Sequence, residues 1–308
     1  MHLERLGIHD SVSAVFPPER IREALSDLEP EVVVVSDSAA IAACDAVVTF
    51  AHEEAFLELE WIHSIQAGYD RFPLDELGDR GIVLTNSTGI HGESVGETVV
   101  GYMLGVSRRL HQYARQQERR EWRKPAWDVP FTLAGESLCV VGLGTLGRGI
   151  ARRANALGMT VTGVRRSGEP VEGVERVYAS DDLHEAIAGA RFVALAVPLN
   201  EQTRGLIGEA ELATMDEESH LINVSRGGVV DQDALVAALE EGEIRGAALD
   251  VFAEEPLPEE SPLWEFDEVI VTPHVAAFTR EYYEGVASLV RANVERIAAG
   301  EPFENRVV

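Results

Sequence analysis

Short apolar runs mark the first third of the chain: EVVVV at 31–35, AVVTF at 46–50, WIHSI at 61–65 and GIVLTN at 81–86. Runs of this length bounded by turn residues predict buried strands. The segment PPERIREALSDLE, residues 17–29, has apolar positions at helical spacing and predicts a helix between the N-terminal segment and the first of these runs. From Ser94 a longer pattern, SVGETVVGYMLGVSRRLHQYARQQERR, predicts a single helix of about seven turns at 3.6 residues each. A second series of strand candidates follows: LCVVG, TVTGV, RFVALAV, HLINVS, GAALDV and VIVTPH. Helical patterns separate most of them, and two, DLHEAIAGA and DQDALVAALEEGE, open on an Asp suited to cap the helix and complement its dipole. The last pattern, REYYEGVASLVRANVERIAAG, is amphipathic and is expected to return to the first domain. Two alternating series predict an α/β fold of two doubly wound parallel sheets with a cleft between them. The expected partition is residues 1–95 with 279–308 for one domain and 96–278 for the other.

Charge changes the picture of the surroundings more than of the fold. The 308 residues carry 26 basic and 53 acidic side chains, a formal net charge of −27, and Lys124 is the only lysine. Such a surface repels itself in dilute solution, but in molar salt the screening length falls to ~3 Å and the repulsion largely disappears. A halophile's cytoplasm is therefore the expected setting. Nucleic-acid binding through phosphates is disfavoured, and no apolar run approaches the ~20 residues of a membrane helix. Export is not indicated by the charged N-terminus. Cys44 and Cys139 are far apart in sequence and predict buried, reduced thiols, with neither a disulfide nor a metal site. Trp122 and Trp127, in EWRKPAWDVP, are expected to be packing residues.

The chemistry begins at CVVGLGTLGRG, where Gly142, Gly144 and Gly147 have G-x-G-x-x-G spacing directly after a strand and at the start of a helix. Gly142 suits a tight turn, Gly144 a close backbone approach to a pyrophosphate, and Gly147 close packing of helix on strand. The intervening Thr145 and Leu146 open the helix whose N-terminus would face the phosphates. About 20 residues on, NAD-selective sites place an acid on the adenosine ribose, whereas an Arg there suits a 2′-phosphate. This chain has Arg165, followed by Arg166 and Ser167. NADP(H) is thus the expected cofactor, with NAD(H) as an accepted substitute. Three later residues, Arg226, Glu255 and His274, follow strand candidates, at the ends where open α/β sheets bind ligands. Individually each is ambiguous, since Arg often joins surface pairs, a lone His is often structural, and Glu254 competes with Glu255.

In order along the chain, SIQAGYD, NSTG with SVGE, GLGTLG, VPLNEQTRGLI, NVSRGG, LDVFAEEP and TPHVAAFT resemble the D-isomer-specific 2-hydroxyacid dehydrogenase family from about Trp61 to Thr279. The resemblance implies a flavodoxin-like substrate domain and a Rossmann coenzyme domain. It implies Arg226, Glu255 and His274 as the catalytic group and Asp250 as an acid on the nicotinamide side. Val197, Pro198, Val224 and Ser225 would line the coenzyme, and the amides of Ala67 and Gly68, with Arg226, would hold the substrate carboxylate. The implied reaction is reduction of a small 2-oxo acid, glyoxylate, hydroxypyruvate or a larger aliphatic one, by hydride transfer with His274 as general acid. A homodimer is implied, with the helix after Ser94 as a contact, and no room is expected for a further regulatory domain. Two departures stand out: Arg165 in place of an acid, and Gly96 where the family commonly has Ala, the latter expected to matter little. The competing readings are a dinucleotide-sensing, corepressor-like protein on the same fold, and a formate dehydrogenase, whose His partner would be Gln rather than Glu255.

Overall fold

The computed structural model describes all residues 1–308. It divides into two compact units, Met1–Ile90 with Phe278–Val308, and His91–Ala277.

In the first unit five strands, β1 (Arg5–His9), β2 (Glu31–Val35), β3 (Ala46–Thr49), β4 (Trp61–Ser64) and β5 (Val83–Asn86), form one parallel sheet in the order β2-β1-β3-β4-β5. That 2-1-3-4-5 order is flavodoxin-like. The central strand β1, RLGIH, was not among the expected strands: only Leu6 and Ile8 are aliphatic, and Arg5 and His9 interrupt the run. Both aliphatics are fully buried. The expected return of the last helix, Tyr282–Ala299, is seen within this unit, where Arg291 holds Asp27 at 2.7 Å and the Ala24 carbonyl at 2.7 Å. Beyond it the C-terminal tail bridges antiparallel to β5, Val307 N–H donating to the Leu84 carbonyl at 2.8 Å.

A polar chain runs through the interior of this sheet. Trp61 Nε1 donates to Thr85 Oγ1 (2.8 Å), which lies 2.8 Å from His63 Nδ1, while His63 Nε2 lies 3.1 Å from Ser87 Oγ and that hydroxyl donates to the Ser64 carbonyl. Donor counting settles the tautomer: with Ser87's proton on a carbonyl, His63 donates from Nε2 and accepts at Nδ1 from Thr85. Burial pushes His63 down to about 3, so the ring stays neutral.

The second unit has seven parallel strands, β6 (Ser137–Val141), β7 (Thr160–Val164), β8 (Arg176–Tyr178), β9 (Phe192–Leu195), β10 (His220–Asn223), β11 (Gly246–Leu249) and β12 (Val269–Val271), in the order β12-β11-β10-β9-β6-β7-β8. Read from β8, this is the 3-2-1-4-5-6 order of dinucleotide-binding sheets with a seventh strand added. Both faces are apolar and covered, which is why the strands read as continuous hydrophobic runs.

The expected seven-turn helix is broken. Gly92–Ser107 buries Val95, Val99, Met103 and Val106, whereas Leu110–Glu118 buries nothing, and between them Arg109 sits in the left-handed region at φ +57°. The apolar stripe ends at Val106, so nothing holds the second segment in line; His111, Gln112 and Arg115 instead bond the Asp267 and Phe266 carbonyls. Of the two expected Asp caps, Asp231 accepts from the amides of Asp233 and Ala234 at 3.1 Å, and Asp182 caps nothing. The division between units falls at 90/91 and 277/278, rather than 95/96 and 278/279, because Gly92–Ser107 packs from its first turn on the helix Thr145–Ala156. Gly96 is central to that packing: a Cβ there would lie 2.6 Å from the Gly149 carbonyl oxygen. Its departure from Ala is therefore consequential. Both cysteines are free and buried, and burial pushes Cys139 up to about 12. No helix is long and apolar enough to cross a membrane.

Candidate active site

The glycine turn lies at the carboxyl end of β6, next to β9, where the strand order reverses. Gly142 has φ +101°, and a Cβ on it would meet the Ala196 carbonyl oxygen at 2.6 Å. A Cβ on Gly147 would overlap the Gly142 carbonyl. Gly144 is different: its φ of −78° suits any residue, and a Cβ would have nothing within 4 Å. The fold alone gives no reason for glycine at 144, whereas room for a pyrophosphate against the backbone does. The helix Thr145–Ala156 starts beside it without a side-chain cap. Its free N–H groups and positive dipole end fit an anion. Leu146 is half-buried in the apolar cluster beneath the helix. These residues fit a dinucleotide.

Further along the same edge, Arg165, Arg166 and Ser167 follow β7, Arg165 partly buried and the other two exposed. Val197 and Pro198 follow β9, Val197 close enough that a Cβ on Gly142 would touch it at 2.8 Å. Val224 and Ser225 follow β10 and are buried. The carboxyl ends of β6, β7, β9 and β10 thus carry every residue expected to line the coenzyme except Asp250, which follows β11.

His274 and Glu255 meet, Nδ1 to Oε2, at 2.8 Å, with side chains 31% and 29% exposed. A carboxylate only accepts, so Nδ1 carries hydrogen and Nε2 is the nitrogen left to take or give a proton. Glu255 is itself oriented, Oε1 accepting from the Phe252 amide at 3.1 Å. His274 has φ +55°, a conformation costing a non-glycine residue about 1–3 kcal/mol unless the surroundings enforce it. Asp250 supplies the enforcement. Its carbonyl accepts from the His274 amide (2.8 Å), and its buried carboxylate accepts from the amides of Val275 (2.9 Å) and Ala276 (2.8 Å) and from Thr272 Oγ1 (2.6 Å). Tyr102, 2.5 Å from Thr272 Oγ1, completes the group, and burial, with Asp250 nearby, raises its phenol above the usual range.

Arg226 leaves β10 in extended conformation with Nη1 on the Ser225 carbonyl at 2.8 Å. Asn223 ties this loop, donating to the Arg226 carbonyl and accepting from the Ser225 amide and hydroxyl. Gly227 lets it close on the next loop, since a Cβ there would overlap the Phe252 carbonyl. The Arg226 loop and the Glu255–His274 pair are therefore built on touching backbone. Ala67 and Gly68 belong to the first unit, in a loop fixed by Asn86 Nδ2 on the Ala67 carbonyl (2.6 Å) and the Ser87 amide on Gln66 (3.0 Å); their own amides make no hydrogen bond.

The description "D-isomer specific 2-hydroxyacid dehydrogenase, NAD binding domain" matches residues 100–276. The chain belongs to that family. It is an NAD(P)-dependent oxidoreductase of the 2-hydroxyacid dehydrogenase kind. Among family relatives, it is 36% identical to a D-3-phosphoglycerate dehydrogenase of Methanocaldococcus jannaschii over 81% of this chain, but spans only 48% of that relative. It is 35% identical to a glyoxylate reductase of Thermococcus litoralis, covering 85% of this chain and 83% of the other. An NADPH-dependent glyoxylate/hydroxypyruvate reductase of Sinorhizobium meliloti, solved with NADP and sulfate, aligns with a TM-score of 0.83 at 28% identity over 98% of each chain.

Within this dehydrogenase framework the supporting residues are less visible in the sequence than the groups they hold. Asn223 lies in NVSRGG, Thr272 in TPHVAAFT, and Tyr102 among the apolar positions of its helix. The available signal was their polarity at positions where buried strand ends and a helix core leave few solvent partners.

Proposed function

We propose that the protein reduces small 2-oxo acids to D-2-hydroxy acids, glyoxylate and hydroxypyruvate being the first candidates, and prefers NADP(H) while accepting NAD(H). The observation that carries the reaction is the Glu255–His274 pair with its Nε2 unspent, beside the Arg226 loop on the coenzyme edge. When bound, the nicotinamide supplies the hydride. His274 gives a proton from Nε2 to the oxygen that gains charge, and Glu255 stabilises the imidazolium and holds the ring in place. Arg226 binds the carboxylate and draws charge toward the carbonyl oxygen, and Ala67 and Gly68 are assigned to the same carboxylate. An intact acid–base pair favours turnover over a role limited to sensing.

Cofactor preference rests on Arg165, Arg166 and Ser167. Hydrogen bonds to a charged group contribute about 1.5–3 kcal/mol each. Two arginine contacts to a 2′-phosphate would give about 3–6 kcal/mol before desolvation, and half of that is still roughly tenfold or more. Two nearly naked tryptophans, Trp122 at 94% and Trp127 at 93% exposure, support a homodimer, because aromatic rings of that size are seldom left in water without a partner. Their exposure corrects the expectation that they pack within the chain. The acidic surface supports a cytoplasm of high salt.

The test is a panel of 2-oxo acids with NADPH and NADH in dilute and in molar KCl. Turnover of a small 2-oxo acid, at least tenfold better with NADPH and faster and longer-lived in molar salt, is the expected result. Tight nucleotide binding with no turnover of any member would overturn the reaction, and equal use of both nucleotides would overturn the preference.

A further inference from the structure

Two of the three side chains assigned to the 2′-phosphate, Arg165 and Ser167, already hold an anion from their own chain. Glu169 Oε2 lies 3.7 Å from Arg165 Nη2 and accepts from Ser167 Oγ at 3.3 Å. One carboxylate oxygen thus bridges both groups. The chain turns back to allow this: the Gly168 amide donates to the Arg165 carbonyl at 3.2 Å, Gly168 has φ +64°, and the Glu169 amide approaches Ser167 Oγ at 3.5 Å. Arg166 has no acidic partner.

We propose that Glu169 is a built-in competitor for the adenosine 2′-phosphate and sets how sharply this chain discriminates between NADPH and NADH. The inference rests on the assignment of Arg165 and Ser167 to that phosphate. A phosphate monoester carries about −1.5 to −2 charge and three acceptor oxygens, so it displaces a single carboxylate from an Arg and a Ser. The displacement has a cost, because the Arg165–Glu169 and Ser167–Glu169 contacts are given up and Glu169 then stands as a like charge near the phosphate. With NADH no phosphate arrives. Glu169 stays, neutralises Arg165, and leaves Oε1 free to accept from a ribose hydroxyl, the contact that an acid makes in NAD-selective sites. Glu169 thereby narrows a preference that Arg165 and Arg166 create.

Glu169→Gln removes the charge with little change of shape. An exposed ion pair is worth at most about 1 kcal/mol, so the variant is expected to bind NADPH and 2′,5′-ADP about two- to five-fold more tightly, with no tightening toward NADH or 5′-AMP. The gain should shrink in 2 M KCl, where the competing pair is already screened. Glu172→Gln removes the same charge from an exposed neighbour that touches neither Arg165 nor Ser167, and is expected to leave all four affinities unchanged. Calorimetric titration of both variants and of the unaltered protein reads this directly. Equal tightening by the two variants would reduce the effect to net charge and overturn the proposal. An unchanged Glu169→Gln in a protein that does prefer 2′,5′-ADP over 5′-AMP would overturn it while leaving the cofactor preference standing. No preference for 2′,5′-ADP in the unaltered protein would overturn both.

Discussion

His63 and His274 are both held by hydrogen bonds through the ring, yet they sit in opposite situations. His63 has both nitrogens committed to hydroxyls deep inside the first unit and is pushed down to about 3 by burial alone. His274 has one nitrogen committed to a carboxylate, the other uncommitted, and about a third of its surface open. A histidine that is fully spent and desolvated is fixed as a neutral wedge in a core, whereas one half-spent against an acid can change charge during a reaction. On the proposed function the first contributes to stability and the second to rate.

Breaking the open member should give the largest effect. His274→Asn is expected to lower kcat by about 10²- to 10⁴-fold, the range of general acid–base catalysis, while the melting temperature and NADPH affinity stay near those of the unaltered protein. Steady-state kinetics with a responsive 2-oxo acid, beside calorimetric binding, would check it. Retained turnover would remove His274 from proton transfer. A collapse of stability would place it with His63 instead.

How far this contrast could be read from the sequence depends on what each residue advertises. The glycine spacing at 142–147 and the runs from EVVVV to VIVTPH are legible because local spacing carries their physics, whereas Arg226, Glu255 and His274, ambiguous one by one, stand out only through the ordered resemblance to the family. The left-handed break at Arg109 is not legible, since no glycine or proline marks it and the end of the apolar stripe at Val106 decides it. Strand β1 hides behind charged and polar neighbours, being central through its pairing with β2 and β3 rather than through composition. Asp182 and Asp231 begin similar patterns, but only the second has amides in reach. The resemblance marks Asp250 as an acid of the site, while its hold on the His274 turn depends on amides that become neighbours only after folding.

Breaking the closed member should act on stability and carry a pH signature. His63→Gln leaves Thr85 or Ser87 without its partner, a cost of about 1–3 kcal/mol at neutral pH. The unfolded chain takes up a proton on this histidine near 6.5, whereas the folded chain resists until about 3, so between those values the unfolded state binds more protons. The contribution of His63 is therefore complete above pH 6.5 and is lost as pH falls toward 3, by at most about 1.4 kcal/mol per pH unit. His91, held down to about 4, and His220, to about 3, add the same slope to both proteins. The unaltered protein should therefore lose stability faster than His63→Gln between pH 6 and 4, and the gap between them should close. Parallel curves in urea melts across that range would mean that His63 is not held neutral by the fold.

The same distinction between spent and unspent space separates two glycines of the second unit, one inside a helix and one just before another. Replacing glycine by alanine inside a helix normally stabilises it by about 1 kcal/mol. At Gly96 the new methyl would lie 2.6 Å from the Gly149 carbonyl oxygen, at backbone that cannot swing aside, and overpacking of this kind costs about 1–3 kcal/mol. The clash should win, so Gly96→Ala is expected to lower the melting temperature by a few degrees, with 1 kcal/mol in a unit the size of His91–Ala277 corresponding to roughly 2–4 °C. At Gly144 a methyl meets nothing of the protein, so Gly144→Ala should melt with the unaltered protein in the absence of nucleotide and bind both NADPH and NADH more weakly, with their ratio unchanged. Scanning calorimetry with and without nucleotide separates the two. A destabilised Gly144→Ala, or one with unchanged affinity, would mean that the turn serves the fold and that the open space above it is not where the pyrophosphate lies.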